Sequence, residues 1–253
     1  MYAITDSQLM EPFFMSIPSE TDLWMFLSSQ GGLTAGRVDA DQALFPYVTE
    51  DRIHDGRHVT GPYTLLRVLD GPEVGRVHRA FAFDREAPKR THLYKGITGN
   101  SLGFEEELPD LGLTISYRWQ GCDAFGWTRR VVVTNTGERP ISLSVLDGLR
   151  NLQPYGVSAH LSQNSSCLVD AYKRSEIEAK SGLGIFALTS RIVDHAEASE
   201  MRRANVSWCI GLDGPRLLTL SQLPAFHAGR PLEHEDDVRG DRAGYFATGV
   251  ITL

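Results

Sequence analysis

The sequence predicts an all-β fold: a large antiparallel β-sandwich with few short helices. Residues 63–253 form short apolar or alternating runs, which are typical of strands. Glycine, proline, asparagine and aspartate separate these runs, as they do at the turns of antiparallel sheets. The 253 residues are 42% hydrophobic and include three cysteines, so one large domain buries its core without disulfide bonds. We expect about ten or more strands, the density of a sandwich or barrel.

The clearest element is a hairpin over residues 64–84, in which Asp70-Gly71-Pro72 forms the turn. Residues that alternate along a strand point to the same side of the sheet. In the second half of the hairpin, one face therefore carries Val77, Arg79, Phe81 and Phe83.

The next strand lies within residues 111–121, and alternation places four residues on one of its faces: Leu113, Ile115, Tyr117 and Trp119. Residues 127–149 contain two β-branched runs, which are separated by Asn135-Thr136-Gly137. Two later segments, residues 175–190 and 205–221, have turn signals at Ser181-Gly182 and at Asp213-Gly214-Pro215.

Helix is predicted only for a short connection, with residues 159–168 as its best candidate. No internal repeat or Pro/Ser-rich linker divides the chain. We therefore expect one sandwich domain over residues 21–253, preceded by an N-terminal extension of residues 1–20.

The charge of the chain argues against nucleic acid as a partner. It has 25 Lys and Arg residues against 32 Asp and Glu residues, a formal net charge of -7. Its basic residues are scattered singly or in pairs, whereas nucleic-acid binders concentrate basic surface. No apolar stretch approaches the ~20 residues of a membrane-spanning helix, so no membrane partner is expected.

The three cysteines predict the compartment. Cys122, Cys167 and Cys209 are odd in number and widely spaced, which favours reduced thiols and a cytoplasmic location. The N-terminal residues include no Lys or Arg before Pro12, so they do not match a secretory signal.

Two histidine and glycine patterns have structural interpretations. Residues 31–37 approach a phosphate-binding loop, but Arg37 and Val38 replace its lysine and hydroxyl residues, which favours a close-packed glycine loop. His54 and His58 have an H-x3-H spacing, yet zinc needs at least one further ligand. We expect them to be exposed polar residues.

Two acidic patterns each have a chemical and a structural interpretation, and the structural one is favoured for both. Residues 233–237 could hold calcium or form a solvated charge run. Glu105 and Glu107 share a strand face, either as the carboxylates of a glycosidase or as a polar surface. The sequence therefore predicts no metal site and no cofactor, and the catalytic residues stay unknown.

The candidate binding site is an aromatic cluster around residues 120–127. Trp119 and Trp127 flank this turn, with Arg129 and Arg130 directly beyond it. Indole rings stack on the apolar faces of sugars while polar neighbours bind the hydroxyls. We therefore predict a carbohydrate site formed by Trp119, Trp127, Arg129 and Arg130. The alternative is that at least two of the four clustered aromatic residues, which include Tyr117 and Phe125, fill the core.

Three segments resemble the cellobiose and chitobiose phosphorylase family. Residues 24–47 are similar to its early Gly-rich segment, with Ala43-Leu44-Phe45-Pro46-Tyr47 in the place of an Asn-Arg-Leu-Thr-Pro-Trp element. Residues 111–152 resemble its sandwich strands, and the strand-rich pattern continues to Ser221. The resemblance implies a galactose-mutarotase-like supersandwich, which in that family is the non-catalytic part. A downstream helical barrel there carries the acid carboxylate and the phosphate site.

Three hypotheses for function follow. In the first, the chain is the non-catalytic sandwich domain of a larger carbohydrate-active enzyme resembling glycoside phosphorylases or hydrolases. It packs on a downstream helical barrel, shapes the sugar site and is inactive alone. The second is a free-standing mutarotase-like sugar epimerase, and the third a carbohydrate-binding module without chemistry. The apolar final run, residues 243–253, further predicts a homodimer that covers it.

Overall fold

Antiparallel strands dominate the computed structural model of this chain, which describes residues 1–82, 89–193 and 201–253. Strands account for 43% of this part and helix for 14%, which confirms the predicted all-β class. In chain order the strands are β1 (Tyr2–Ile4), β2 (Phe14–Ile17), β3 (Leu23–Ser28), β4 (Leu33–Arg37), β5 (Ala43–Phe45), β6 (Gly61–Val68), β7 (Val77–Arg79), β8 (Arg90–Lys95), β9 (Ser101–Leu108), β10 (Leu113–Cys122), β11 (Gly126–Asn135), β12 (Ser142–Arg150), β13 (Lys173–Glu178), β14 (Leu183–Leu188), β15 (Asn205–Ser207), β16 (Arg216–Leu217), β17 (Asp237–Arg239) and β18 (Tyr245–Thr252).

The helices are short connections, as the sequence predicts. The α-helices are α1 (Glu50–Ile53), α2 (Ala159–Asn164), α3 (Ser166–Tyr172) and α4 (Leu223–His227). Single 3-10 turns occupy Ser7–Leu9, Ala40–Gln42, Asp55–His58 and Pro109–Leu111. The predicted helix over residues 159–168 corresponds to α2 and the start of α3. The side chain of Ser158 caps α2 by accepting a hydrogen bond from the amide of Leu161 at 3.2 Å.

Hydrogen bonds divide the strands into four antiparallel sheets, in a propeller-like arrangement. The first sheet has the order β1-β8-β9-β10-β11 and the second β16-β18-β12-β6-β7. The third has the order β15-β14-β13-β17 and the fourth β2-β3-β4-β5. The sequence predicts two larger sheets, but the connection at Asn135-Thr136-Gly137 sends β11 and β12 into different sheets rather than pairing them.

Two of the predicted hairpins are present, whereas the turn signal at Asp213-Gly214-Pro215 lies between β15 of the third sheet and β16 of the second. β6 pairs with β7 across the turn that contains Asp70-Gly71-Pro72, and β13 pairs with β14 across Ser181-Gly182. Phe83 and Asp84, the end of the predicted first hairpin, lie outside the described residues.

Residues 1–20, predicted as an extension, contribute two strands to the sheets. β1 pairs with β8 of the first sheet and β2 with β3 of the fourth. Met15 and Ile17 of β2 point into the core and are buried. This segment is held because its alternating residues cover apolar surface of the sheets.

One core cluster joins all four sheets. It includes Phe104 of the first sheet, Tyr245 of the second, Phe186 of the third and Met25 of the fourth. The sheets therefore meet at a common centre, and a cavity that opens toward this centre is lined by residues distant in sequence.

Candidate functional site

A cavity of about 470 Å³ lies where strands of all four sheets converge. We call it the aromatic cavity and define it by Trp127, Arg129, Asp147, Trp208 and Cys209. Trp127 and Arg129 lie on β11, Asp147 lies on β12, and Trp208 and Cys209 follow β15. Its volume is within the range of small-molecule binding sites.

The register of β10 and β11 positions the aromatic wall. Trp119 is directly opposite Arg129, and Gly121 is opposite Trp127. Residues opposite one another in an antiparallel pair share a face, and so do residues two apart along a strand. Trp119, Trp127 and Arg129 therefore face the same side of the first sheet.

Two indole rings of this wall have different exposure. Trp119 is 1% exposed and belongs to the core, whereas Trp127 is half-buried. The Nε1 atoms of both rings are buried without a hydrogen-bond partner in the described part of the chain. A buried N–H donor without a partner is unfavourable, so an acceptor placed at Trp127 Nε1 would lower the free energy of the folded chain.

Arg129 and Asp147 form a buried ion pair beside this wall. Arg129 Nη2 donates to Asp147 Oδ2 at 2.6 Å, and the two side chains are 6% and 11% exposed. Asp147 Oδ1 also accepts a hydrogen bond from the Thr64 hydroxyl at 2.5 Å. The guanidinium lies 5.6 Å from the ring centroid of Tyr117, and its Nη1 is buried without a partner among the described residues. The aspartate thus fixes the arginine and leaves one nitrogen free to donate.

The rim of the cavity is apolar and exposed. Phe125 and Trp208 make an edge-to-face contact with centroids 5.5 Å apart, and they are 60% and 43% exposed. Ile210, two residues further along, is 88% exposed. The rim therefore presents aromatic surface to any molecule that enters.

Arg130 does not belong to this cavity, which corrects the sequence prediction for that residue. It pairs with Arg118 on the opposite face of the first sheet and is exposed. It borders a different depression, which Arg118 and Arg129 also line. The reason is the two-residue period of a strand, which prevents Arg129 and Arg130 from facing the same side.

Sequence reasoning missed Asp147, Trp208 and Cys209. Asp147 had a detectable signal, because it is a charged residue inside the apolar run of β12. Trp208 and Cys209 had none, since they reach the cavity only through the packing of the third sheet against the others.

No protein-family model matches this chain, and no curated protein matches it. Among the described residues no helix is long and apolar enough to cross a membrane. Likewise, no group of three or more His, Cys, Asp or Glu residues in that part of the chain is placed to hold a metal ion.

The other acidic candidates are occupied by structural contacts. Glu105 accepts a hydrogen bond from the Tyr94 hydroxyl at 2.8 Å, and Glu107 accepts one from His92 Nε2 at 3.1 Å. Glu235 accepts from the backbone amides of Leu218 and Thr219 at 2.7 and 2.8 Å. These carboxylates hold strands and a loop in place.

Cysteine alkylation tests the position of Cys209. Burial, followed by the nearby charge of Asp147, raises the pKa of the Cys209 thiol, whereas Cys167 is exposed. The thiolate is the reactive form. We therefore expect iodoacetamide at neutral pH to label Cys167 before Cys209, with labelling of Cys209 increasing at higher pH than for an ordinary thiol. Peptide mass spectrometry over time measures both rates, and equal rates contradict the buried position.

Proposed function

We propose that this chain is a non-catalytic β domain of a larger carbohydrate-active enzyme resembling glycoside phosphorylases or hydrolases, and that its aromatic cavity binds a sugar. The observation that carries the proposal is the meeting of indole rings and a fixed guanidinium in one cavity of about 470 Å³. Each group suits a different part of a sugar.

The aromatic side chains suit the apolar faces of a sugar ring. Trp127 lines the wall and Trp208 the rim, so a sugar that enters meets both indoles. Such contacts are favourable because they remove apolar area of the sugar and of the indole from water. Arg129 Nη1 and Trp127 Nε1 are donors of two lining residues that have no partner in the described structure, and a small side-chain movement would turn them toward sugar hydroxyls.

The polar groups of the cavity favour binding over catalysis. Glycoside cleavage generally uses two carboxylates, and a mutarotase uses a histidine acid with a carboxylate base. Among the described residues that line the cavity, Asp147 is the only carboxylate, and none is a histidine. Asp147 is already bonded to Arg129 and Thr64.

The exposed rim supports docking of a further domain. Phe125, Val206, Trp208 and Ile210 are all exposed large apolar residues at the mouth of the cavity. Contiguous exposed apolar surface marks interaction sites. In our proposal the helical barrel packs on this rim and encloses the sugar.

We further propose that the fold of this chain is related to the galactose-mutarotase-like supersandwich. The packing of two of its sheets supports this relation. Leu66 and Leu143 of the second sheet share a core cluster with Leu113 and Ile115 of the first. Two five-stranded antiparallel sheets thus contact each other through their apolar faces, as in a sandwich.

The homodimer predicted from the final strand has less support than docking on the rim. Within β18, Tyr245, Phe246 and Ala247 are buried and Val250 is exposed, so little of its apolar surface faces solvent. Light scattering coupled to size-exclusion chromatography determines whether the chain self-associates at micromolar concentration.

Titration with cellobiose and lactose tests sugar binding. We expect the intrinsic tryptophan fluorescence of the chain to change on binding, because two indoles contact the ligand. Trp208→Ala should weaken binding about tenfold, since it removes an exposed stacking surface without emptying the core. Trp24→Ala is the matched control, because Trp24 packs on Phe26 and Tyr47 and does not line the cavity.

Absence of any fluorescence or calorimetric response to either disaccharide at millimolar concentration contradicts the proposal. So does an equal loss of affinity in Trp208→Ala and Trp24→Ala. Protection of Cys209 from iodoacetamide by the same sugar locates the bound molecule in the aromatic cavity.

Polarimetry separates this function from the mutarotase alternative. We expect fresh α-glucose or α-galactose to change its optical rotation no faster with the chain than in buffer alone, because the described cavity lining offers no histidine acid. An accelerated change supports the epimerase instead.

A further inference from the structure

A second pocket, of about 430 Å³, lies on the other face of the second sheet. Leu149 and Tyr245 are paired residues that line the aromatic cavity, whereas their chain neighbours Arg150 and Phe246 line this second pocket. Alternation along the strands thus separates the two sites. We call the second one the arginine pocket and define it by Tyr63, Arg79, Arg150, Leu218, Leu220, Arg242 and Phe246.

Two guanidinium groups meet at one aromatic ring in this pocket. The Cζ atoms of Arg79 and Arg150 each lie 5.0 Å from the ring centroid of Tyr63. Arg150 is 8% exposed and donates to the carbonyl oxygens of His58, Arg57 and Pro62 at 2.5, 2.7 and 3.2 Å. Its Nε atom is buried without a partner among the described residues.

Arg79 lacks the partners that Arg150 has. Its guanidinium is half-buried and makes neither a hydrogen bond nor an ion pair with any described residue. Burial, and then the charge of Arg79, lower the pKa of Arg150 to about 10. The two cations therefore repel each other in a partly desolvated place, and a bound anion relieves that repulsion.

The remaining lining adds positive charge and apolar surface. Arg242 is a third guanidinium of the pocket, and its Nε donates to Asp170 at 3.0 Å. Asp170 is not itself a lining residue and also accepts from Lys173 at 2.7 Å, so two cations offset its charge. No described residue of the lining carries a carboxylate, although the chain as a whole has a net charge of -7.

We propose that the arginine pocket binds a small organic oxyanion, an apolar molecule that carries a carboxylate or phosphate group. The acid group lies against the guanidinium of Arg79, within the positive field of Arg150, because the planar guanidinium matches the oxygen geometry of both acids. The apolar part lies against Leu218, Leu220 and Phe246. The size of the pocket, about 430 Å³, accommodates such a molecule rather than a bare ion alone.

Calorimetric titration of the full chain with phenyl phosphate and with benzoate tests this site. We expect at least one of the two to bind, and their relative affinities identify the acid group. Arg79→Gln should weaken that binding at least about tenfold, since one charge-assisted hydrogen bond is lost. Because Arg79 makes no hydrogen bond in the described structure and its charge repels that of Arg150, this variant should not have a lower melting temperature than the unaltered chain.

Three results overturn the proposal. The first is no binding of either probe to the unaltered chain. The second is a loss of affinity in Arg139→Gln as large as that in Arg79→Gln, because Arg139 is an exposed arginine outside the pocket. The third is binding of inorganic phosphate as tight as that of phenyl phosphate, since the apolar contacts then contribute nothing. If the melting temperature of Arg79→Gln changes, these outcomes can still be interpreted, because binding is measured at a temperature at which the variant is folded.

Discussion

Replacement of Arg129 by methionine is expected to lower the free energy of unfolding by about 3–5 kcal/mol. Arg129 and Asp147 are 6% and 11% exposed, and their 2.6 Å contact is the only ion pair of this aspartate in the described structure. Without the guanidinium, the carboxylate is left buried with the Thr64 hydroxyl as its remaining side-chain partner. An uncompensated buried charge costs much more than the net value of the pair.

Two comparisons isolate this effect in urea or thermal unfolding. The double variant Arg129→Met, Asp147→Leu should be more stable than Arg129→Met alone, because no charge is left unpaired. Arg37→Met should have a much smaller effect, since Arg37 and Asp22 form an exposed pair. Equal destabilisation by Arg37→Met and Arg129→Met contradicts the buried position of the pair.

Gly148→Ala is expected to destabilise the chain by about 3 kcal/mol or more. A Cβ atom at residue 148 would lie 2.0 Å from the carbonyl oxygen of Tyr245 and 2.7 Å from Cα of Phe246. Both neighbours are backbone atoms of the paired strand β18, so β12 and β18 must move apart. Gly148 also follows Asp147 in the cavity wall, and we expect this variant to lose sugar affinity as well.

Gly56→Ala is the matched control for that substitution. No heavy atom lies within 4 Å of a Cβ built on Gly56, which belongs to a 3-10 turn. We expect its free energy of unfolding to change little. If the melting temperature of Gly148→Ala equals that of Gly56→Ala, the two strands are not as close as the structure places them.

Local signals predicted most strands of this chain. The alternation of Leu113, Ile115, Tyr117 and Trp119 identifies the buried face of β10, and all four side chains are buried. Such patterns are readable because each strand must place one face on the core. The helix over residues 159–168 was likewise detectable, and Ser158 forms its N-cap.

The candidate site was predictable only within one hairpin. The turn between β10 and β11 brings Trp119, Trp127 and Arg129 to one face, and the same two-residue period excludes Arg130. Whether an aromatic residue on that face is exposed depends on which sheet packs against it. Trp119 is covered by the common core, whereas Trp127 lies at its edge.

The sequence by itself determined the all-β class, the strand-forming runs and the shared face of the aromatic hairpin, because these depend on residues close together in the chain. Only the tertiary structure decided the division into four sheets and the position of residues 1–20 within them. It also brought Asp147 to Arg129 and placed Trp208 at the cavity mouth. Those contacts arise from packing between sheets, and the two-residue period of a strand specifies which face is buried but not which surface covers it.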